Sequence, residues 1–324
     1  MNLFTAGREA SMRRNTYLVA VPILLVAAAF KLLLPSALVS AEEADVTAQL
    51  EEAKRKLAPE YTLAYNLKAG EEVNTKVVHL VTVETTIKGV SQTAKTRSVS
   101  TKRWKVTDVA ADGTMTFDHS VDHVDMWQSV SGRQEVKFNS DSDETPPPGY
   151  EQVAESVGKR LATVIMDKYG RVVGRENSQP QFNPGIGELS IPLPAQPVKV
   201  GNKWSIPDEV KVRLDDKTVK VIKTRQVYKL ESVETGVATI AVETQVLTPV
   251  DDPRIQSQLV QRMQKGTIKF DVDNGRLIRK QMNLDEQVIG FNGPDSNMQY
   301  LARFTEEPVK AEDVAARRDA AEQR

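Results

Sequence analysis

The chain holds three histidines, His79, His119 and His123, and each falls on the apolar side of a strand-like alternation. His119 and His123 are four residues apart, which on a strand is one face, and Asp125 and Trp127 continue that row. Imidazoles and a carboxylate gathered on a sheltered face are what a metal centre or an acid–base pair would need. The competing reading is hydrogen-bonded core histidines, or polar spots facing a ligand. The second half of the chain weighs on this choice. Setting Gly113 on Gly236 pairs His119 with Val242 and His123 with Val246, so plain hydrophobes occupy the matching positions. Burial is what the fold asks for there, not histidine. His79, His119, His123, Asp125 and Trp127 are therefore expected to face a ligand. No catalytic residue, metal or cofactor is expected.

Other reactive patterns fall away. There is no cysteine, which removes disulfides, thiol nucleophiles, cysteine-ligated zinc and a lipid-anchor cysteine. Asp141 to Glu144, Asp215-Asp216 and Asp251-Asp252 sit beside turn residues or proline, where aspartate serves local hydrogen bonds. A glycosidase pair needs two carboxylates at a set separation in a cleft, and no pair stands out. No nucleophile elbow, phosphate loop, dinucleotide fingerprint or zinc-protease helix is present. "FDVDNGRLIRK" (270–280) begins like a calcium loop, but counted from Asp271 its glycine is fifth and its twelfth residue is Met282. It reads as a hairpin turn.

The elements that position these residues are strands. "TKVVHLVTVETTI" alternates Val77, His79, Val81 and Val83 against Lys76, Thr82 and Glu84, and "TMTFDHSVDHVDMW" repeats the pattern. Turn signals at Asp112-Gly113, Tyr169-Gly170, Thr235-Gly236 and Asn274-Gly275 punctuate them. Four blocks recur in the same order. "LKAGEEV" resembles "VKVGNKW", and "RWKVTDVAADGTMTF" resembles "VYKLESVETGVATIA". "YEQVAESVGKR" resembles "DPRIQSQLVQRMQK", and "VIMDKYGRVVGRE" resembles "IKFDVDNGRLIRKQ". The expectation is a mainly β protein: one curved, half-barrel-like antiparallel sheet with a few helices on its concave face, built from two internal repeats. Two lobes side by side is the alternative.

The N-terminus reads as an export segment. Arg13 and Arg14 precede the apolar run Tyr17 to Phe30, and Val39-Ser40-Ala41 offers a cleavage site after Ala41. The alternative is an uncleaved anchor, although Lys31 and Pro35 interrupt the run. Either way the body is expected outside the cytoplasm, periplasmic or extracellular, touching membrane only through this segment. The net charge of −1 argues against nucleic acid as a partner. The expected organisation is a signal or anchor (1–41), a helical lead-in (42–60), a first repeat (61–177), a Pro/Gly-rich linker (178–197), a second repeat (198–307) and a charged tail (308–324).

The blocks "YTLAYNLKAGEEV", "SVSTKRWKVTDVAADGTMTF", "PPPGY" and "DVDNGRLIRK" resemble a group of uncharacterised exported proteins common in planctomycete-type bacteria. No activity comes with that resemblance. The pattern of elements also looks like the half-barrel carriers of the LolA/LppX kind, in which a curved sheet with inner helices shelters an acyl chain. What this implies is a non-enzymatic envelope protein that binds an apolar or amphipathic ligand, such as a lipid, on a concave surface. A structural or interaction protein with a closed core is the second expectation. A metal-dependent hydrolase using His79, His119, His123 and Asp125 is the third.

Overall fold

The computed structural model describes residues 46, 49, 57–176, 190–214 and 217–309. The export segment, the Ala41 cleavage site, most of the lead-in and linker, and the charged tail lie outside them. Val46, Gln49 and Leu57 are helical, within the expected lead-in. Among the described residues no helix is long and apolar enough to cross a membrane.

From Ala58 onward the chain forms one unit. It opens with β1 (Glu72–Ile87), β2 (Val90–Val109), β3 (Met115–Val130) and the short β4 (Val136–Asn139). After these come α1 (Glu151–Ser156), β5 (Arg160–Met166) and β6 (Val172–Glu176). The second half runs β7 (Lys203–Arg213), β8 (Val219–Glu234), β9 (Val237–Val246), α2 (Pro253–Leu259), β10 (Lys265–Asp271) and β11 (Arg276–Ile289). A last strand, β12 (Ser296–Pro308), has no counterpart among the described residues of the first half.

All twelve strands belong to one antiparallel sheet, curved and not closed, in the order β6-β5-β3-β2-β1-β12-β11-β10-β9-β8-β7, with β4 paired to β3 off that path. One sheet, not two lobes, is thus the outcome. Each repeat is a five-stranded meander with its helix between the third and fourth strands of that path. Both repeats wind the same way along the sheet, and β12 splices them by pairing with β1 on one side and β11 on the other.

The duplication is also written in the irregularities. An extra residue bulges at Thr107 in β2 and at the matching Glu231 in β8. Another bulges at Val173 in β6 and at the matching Ile278 in β11. Each bulge bends its strand and raises the local twist, so the paired defects give both halves the same curvature.

The sheet ends on β6 and β7, and the β7 end is blunted. β6 is described over Val172–Glu176. β7 carries Pro207 at its centre, tolerable because among the described residues that edge has no outer neighbour to receive an N–H bond, and flanks it with Asp208, Glu209 and Lys211.

Both helices sit on the inner face. α1 turns Val153 toward Val124, Met126 and Phe138. α2 turns Ile255 and Leu259 toward Val212 and Ile222. Asp252 caps α2 by accepting from the Arg254 N–H, with Pro253 in the first turn. The main core lies at one end of the concavity, where both repeats contribute: Trp104, Phe117 and Val164 from the first, Tyr228, Ile240 and Phe270 from the second.

Irregular chain fills the middle of that core. Leu63, Tyr65 and Leu67 come from the segment before β1, and Ile191, Leu193 and Val198 from the segment before β7. These two straps join at the Tyr61–Val198 bridge. The straps are moored by the equivalent hairpin turns of the two repeats. The Tyr65 N–H donates to Lys168 O, the Leu193 N–H to Tyr169 O and the Asn66 N–H to Gly275 O. Gly170 (φ +80°) and Gly275 (φ +63°) make this close approach possible, since a Cβ would lie 2.2 Å from Ile191 O at the first and 2.5 Å from Ala64 O at the second.

Candidate functional site

The straps fill one end of the concave face. Further along, beneath β1, β12 and β11, an open cleft of about 440 Å3 remains. Its floor follows from strand parity. Met282 and Leu284 on β11 stand beside Phe304 and Ala302 on β12, and His79 stands beside Phe304 on β1. Tyr300 completes the floor. The rim is the chain that joins α2 to β10, Gln261 to Lys265. Met282, Tyr300 and Phe304 are buried, and burial raises the pKa of the Tyr300 phenol.

The charge of the lining is one-sided. Arg262, Lys265 and Lys280 border the cleft, and among the described residues no aspartate or glutamate does. Arg262 and Lys265 reach solvent, whereas Lys280 is only 3% exposed. Its Nζ sits over the Phe304 ring, 5.6 Å from the centroid.

Lys280 also lines a second, smaller cavity of about 180 Å3. Thr75, Lys102, Trp104 and Glu306 share that lining, with Tyr65 and Ile191 of the straps closing it. Glu306 accepts from Lys102 Nζ in an ion pair and from Thr75 Oγ1 at 3.4 Å. Lys280 lies directly across from Glu306 in the β11–β12 register, yet forms no ion pair among the described residues. One carboxylate thus stands between two ammonium groups. Trp104 Nε1 and Asn74 Oδ1, both from residues lining this cavity, are buried without a hydrogen-bond partner among the described residues.

The expected ligand-facing residues do not converge. His79 lines the cleft, with burial pushing its pKa down. His119 is buried in the main core opposite Trp104, with no partner for Nδ1 among the described residues. Burial foremost, then the nearby charge of Lys102, lowers its pKa to about 3, so it is a neutral imidazole. By β-sheet register His79 and His119 are six residue steps apart, roughly 20 Å at ~3.3 Å per residue.

The expectation that His119 and His123 share a face is corrected by a single residue. Asp122 is an extra residue in β3, between Val121 opposite Lys102 and His123 opposite Thr101. This bulge reverses the alternation, so Val124 and Met126 point inward and His123, Asp125 and Trp127 point to the other side. There His123 Nδ1 meets Asp141 Oδ2 at 3.0 Å, Arg97 grips both Asp125 oxygens at 2.9 Å, and Trp127 Nε1 donates to Glu135. Among the described residues no three of His, Cys, Asp or Glu are grouped to hold a metal ion. The carboxylates of the Asp271 turn are likewise spent locally, accepting from the Asn274 N–H and side chain.

Lys280, Met282, Leu284, Tyr300 and Phe304 escaped the sequence reading. A signal was present: Lys280 shares the parity of Met282 and Leu284, so a charge sits on an inward row.

Residues 175–277 match a family of unknown function (DUF6263), about a third of the chain. No curated protein matches. Among solved structures, a lipovitellin reported for its lipid–protein interactions aligns over 76% of this chain at 11% identity and a TM-score of 0.43. The chain spans about a quarter of that structure's length, 26%. DynF of the dynemicin pathway of Micromonospora chersina aligns over 79% of this chain and 89% of its own, at 7% identity and a TM-score of 0.21. A DUF1329 family protein from Desulfovibrio piger aligns over 71% of this chain and 84% of its own, at 13% identity and a TM-score of 0.14.

Proposed function

We propose that this chain is an exported, non-enzymatic envelope protein that holds an apolar or amphipathic ligand on the concave face of its sheet. The observation that carries the reading is the open cleft of about 440 Å3 floored by Met282, Leu284, Tyr300, Ala302 and Phe304. Its volume falls within the ~300–1,000 Å3 usual for small-molecule sites. Leu284 and Ala302 are the half-buried part of that floor, and a bound hydrocarbon gains ~25 cal/mol for each Å2 of apolar surface it covers there. The basic, apolar and small-residue segments of the first 41 residues support the export part of the reading.

A closed structural protein is the competing reading, and the straps that fill one end of the concavity favour it locally. The cleft beside them argues the other way. The test is native mass spectrometry of protein purified from the organism that makes it, together with titration by a fluorescent fatty acid. A co-purifying amphiphile and saturable fluorescence support ligand binding. Protein that is empty in every preparation and does not respond to the probe refutes it.

A further inference from the structure

Resting on the ligand-binding reading above, we infer that the ligand is a long-chain anion whose head group is held by Lys280, with its tail along the cleft. Three observations lead there. Among the described residues the cleft is bordered by three cations and no carboxylate. A ligand held there by charge is therefore an anion.

The second observation is the state of Lys280. It is almost wholly buried, and the carboxylate opposite it is already engaged by Lys102 and Thr75. A buried cation without its own counter-charge is costly to a fold, and an incoming carboxylate or phosphate removes that cost while gaining charge-assisted hydrogen bonds.

The third is the place of Lys280 in the lining. It borders both the apolar-floored cleft and the small cavity, where the buried Trp104 Nε1–H has no acceptor among the described residues. The small cavity thus sets Lys280 beside an orphan indole donor in about 180 Å3, with Lys102 on its wall already paired to Glu306 and Glu72 also in the lining. The cleft offers the length and the apolar floor. A neutral lipid satisfies only the second half of this site. A multiply charged solute satisfies only the first.

The experiment uses displacement of Nile red, a neutral fluorophore, from the purified protein by oleate, oleyl alcohol and 1-oleoyl lysophosphatidate. Wild-type protein binds oleate or lysophosphatidate at least tenfold more tightly than oleyl alcohol. The tighter of the two anions names the head group as carboxylate or phosphate. Lys280→Met lowers affinity for that anion about tenfold or more and changes affinity for the alcohol less than about twofold. Lys280→Arg retains most of the anion affinity. A melting temperature no lower than that of the wild type shows that the Met variant is folded.

Equal affinity of the wild type for anion and alcohol overturns the inference and leaves the ligand-binding reading standing. So does a Lys280→Met variant that weakens both ligands alike, because such a loss is structural. Failure of all three ligands to displace the dye, with no response to a fluorescent fatty acid, overturns the ligand-binding reading itself.

Discussion

Replacing Gly170 by alanine strikes the mooring of the straps, and its cost can be worked out in advance. Gly170 has φ +80°, and an L-residue in that region costs about 1–2 kcal/mol. The added methyl would sit 2.2 Å from Ile191 O and 2.8 Å from Tyr65 Cε2, so the strap must retreat. Retreat loosens two buried hydrogen bonds, Ser190 Oγ–H to Gly170 O at 2.6 Å and the Ile191 N–H to Tyr65 Oη at 3.0 Å. At about 1 kcal/mol each, these bring the expected loss to about 3–4 kcal/mol. Gly132→Ala is the control. It shares the positive φ, +75°, but its new methyl meets nothing within 4 Å, so its cost is the backbone part alone, about 1–2 kcal/mol. Guanidinium unfolding followed by tryptophan emission measures both, and Trp204 is a local reporter because its Nε1–H donates to Pro192 O at 2.9 Å in the same strap. If Gly170→Ala is no more destabilising than Gly132→Ala, the straps are not moored as described. Because Tyr65, Ser190 and Ile191 also wall the smaller cavity, the same variant should weaken binding of an anionic amphiphile.

Three further outcomes follow from the structure. His119 is neutral in the fold with its pKa near 3, while the unfolded side chain protonates near 6.5. Only the unfolded state therefore gains a proton between those values, and His119 costs about 1.4 kcal/mol of stability per pH unit as pH falls below about 6.5. His119→Met should flatten that part of a stability–pH curve, and an unchanged slope would contradict the burial. Asp271 has its pKa lowered, chiefly by its hydrogen bonds from Asn274, so its contribution is present above the unfolded value near 4 and lost as pH falls through the folded one. The stability gap between wild type and Asp271→Ala should accordingly narrow below pH ~4. Finally, Trp127→Phe should leave ligand affinity within about twofold, whereas Leu284→Asp should abolish it, as fluorescent fatty-acid titration can show. Trp127 faces away from the cleft and Leu284 forms its floor.

Much of the fold was legible because its signals were periodic. Alternation along β1 and β3 named inward residues such as Val77 and Phe117, and the recurrent glycine turns exposed the duplication. What was illegible were departures of a single residue. The Asp122 bulge carries no glycine or proline to mark it, yet it turns His123, Asp125 and Trp127 away from the face they were expected to share. The straps were hidden for a different reason. A Pro-rich stretch such as Ile191–Pro192–Leu193 reads as a loop, and its burial depends on partners more than a hundred residues away, at Tyr65. The site followed suit: the histidines caught the eye, whereas Lys280 looked like one more surface lysine until the register placed it beside Phe304.

Because both repeats wind the same way, the free strand at each end of the sheet is a copy of a strand that is paired in the middle. β6 is the counterpart of β11, and β7 the counterpart of β1, the two strands that β12 joins. The arrangement is therefore open-ended as geometry: a third copy could be spliced on at β6 by another strand like β12, and the ribbon would simply lengthen. What halts it at two is chemistry. At one end β7 presents Pro207 and a row of charges where a neighbour would need N–H groups. The breadth of the sheet is thus set by how many copies were joined before the ends were sealed.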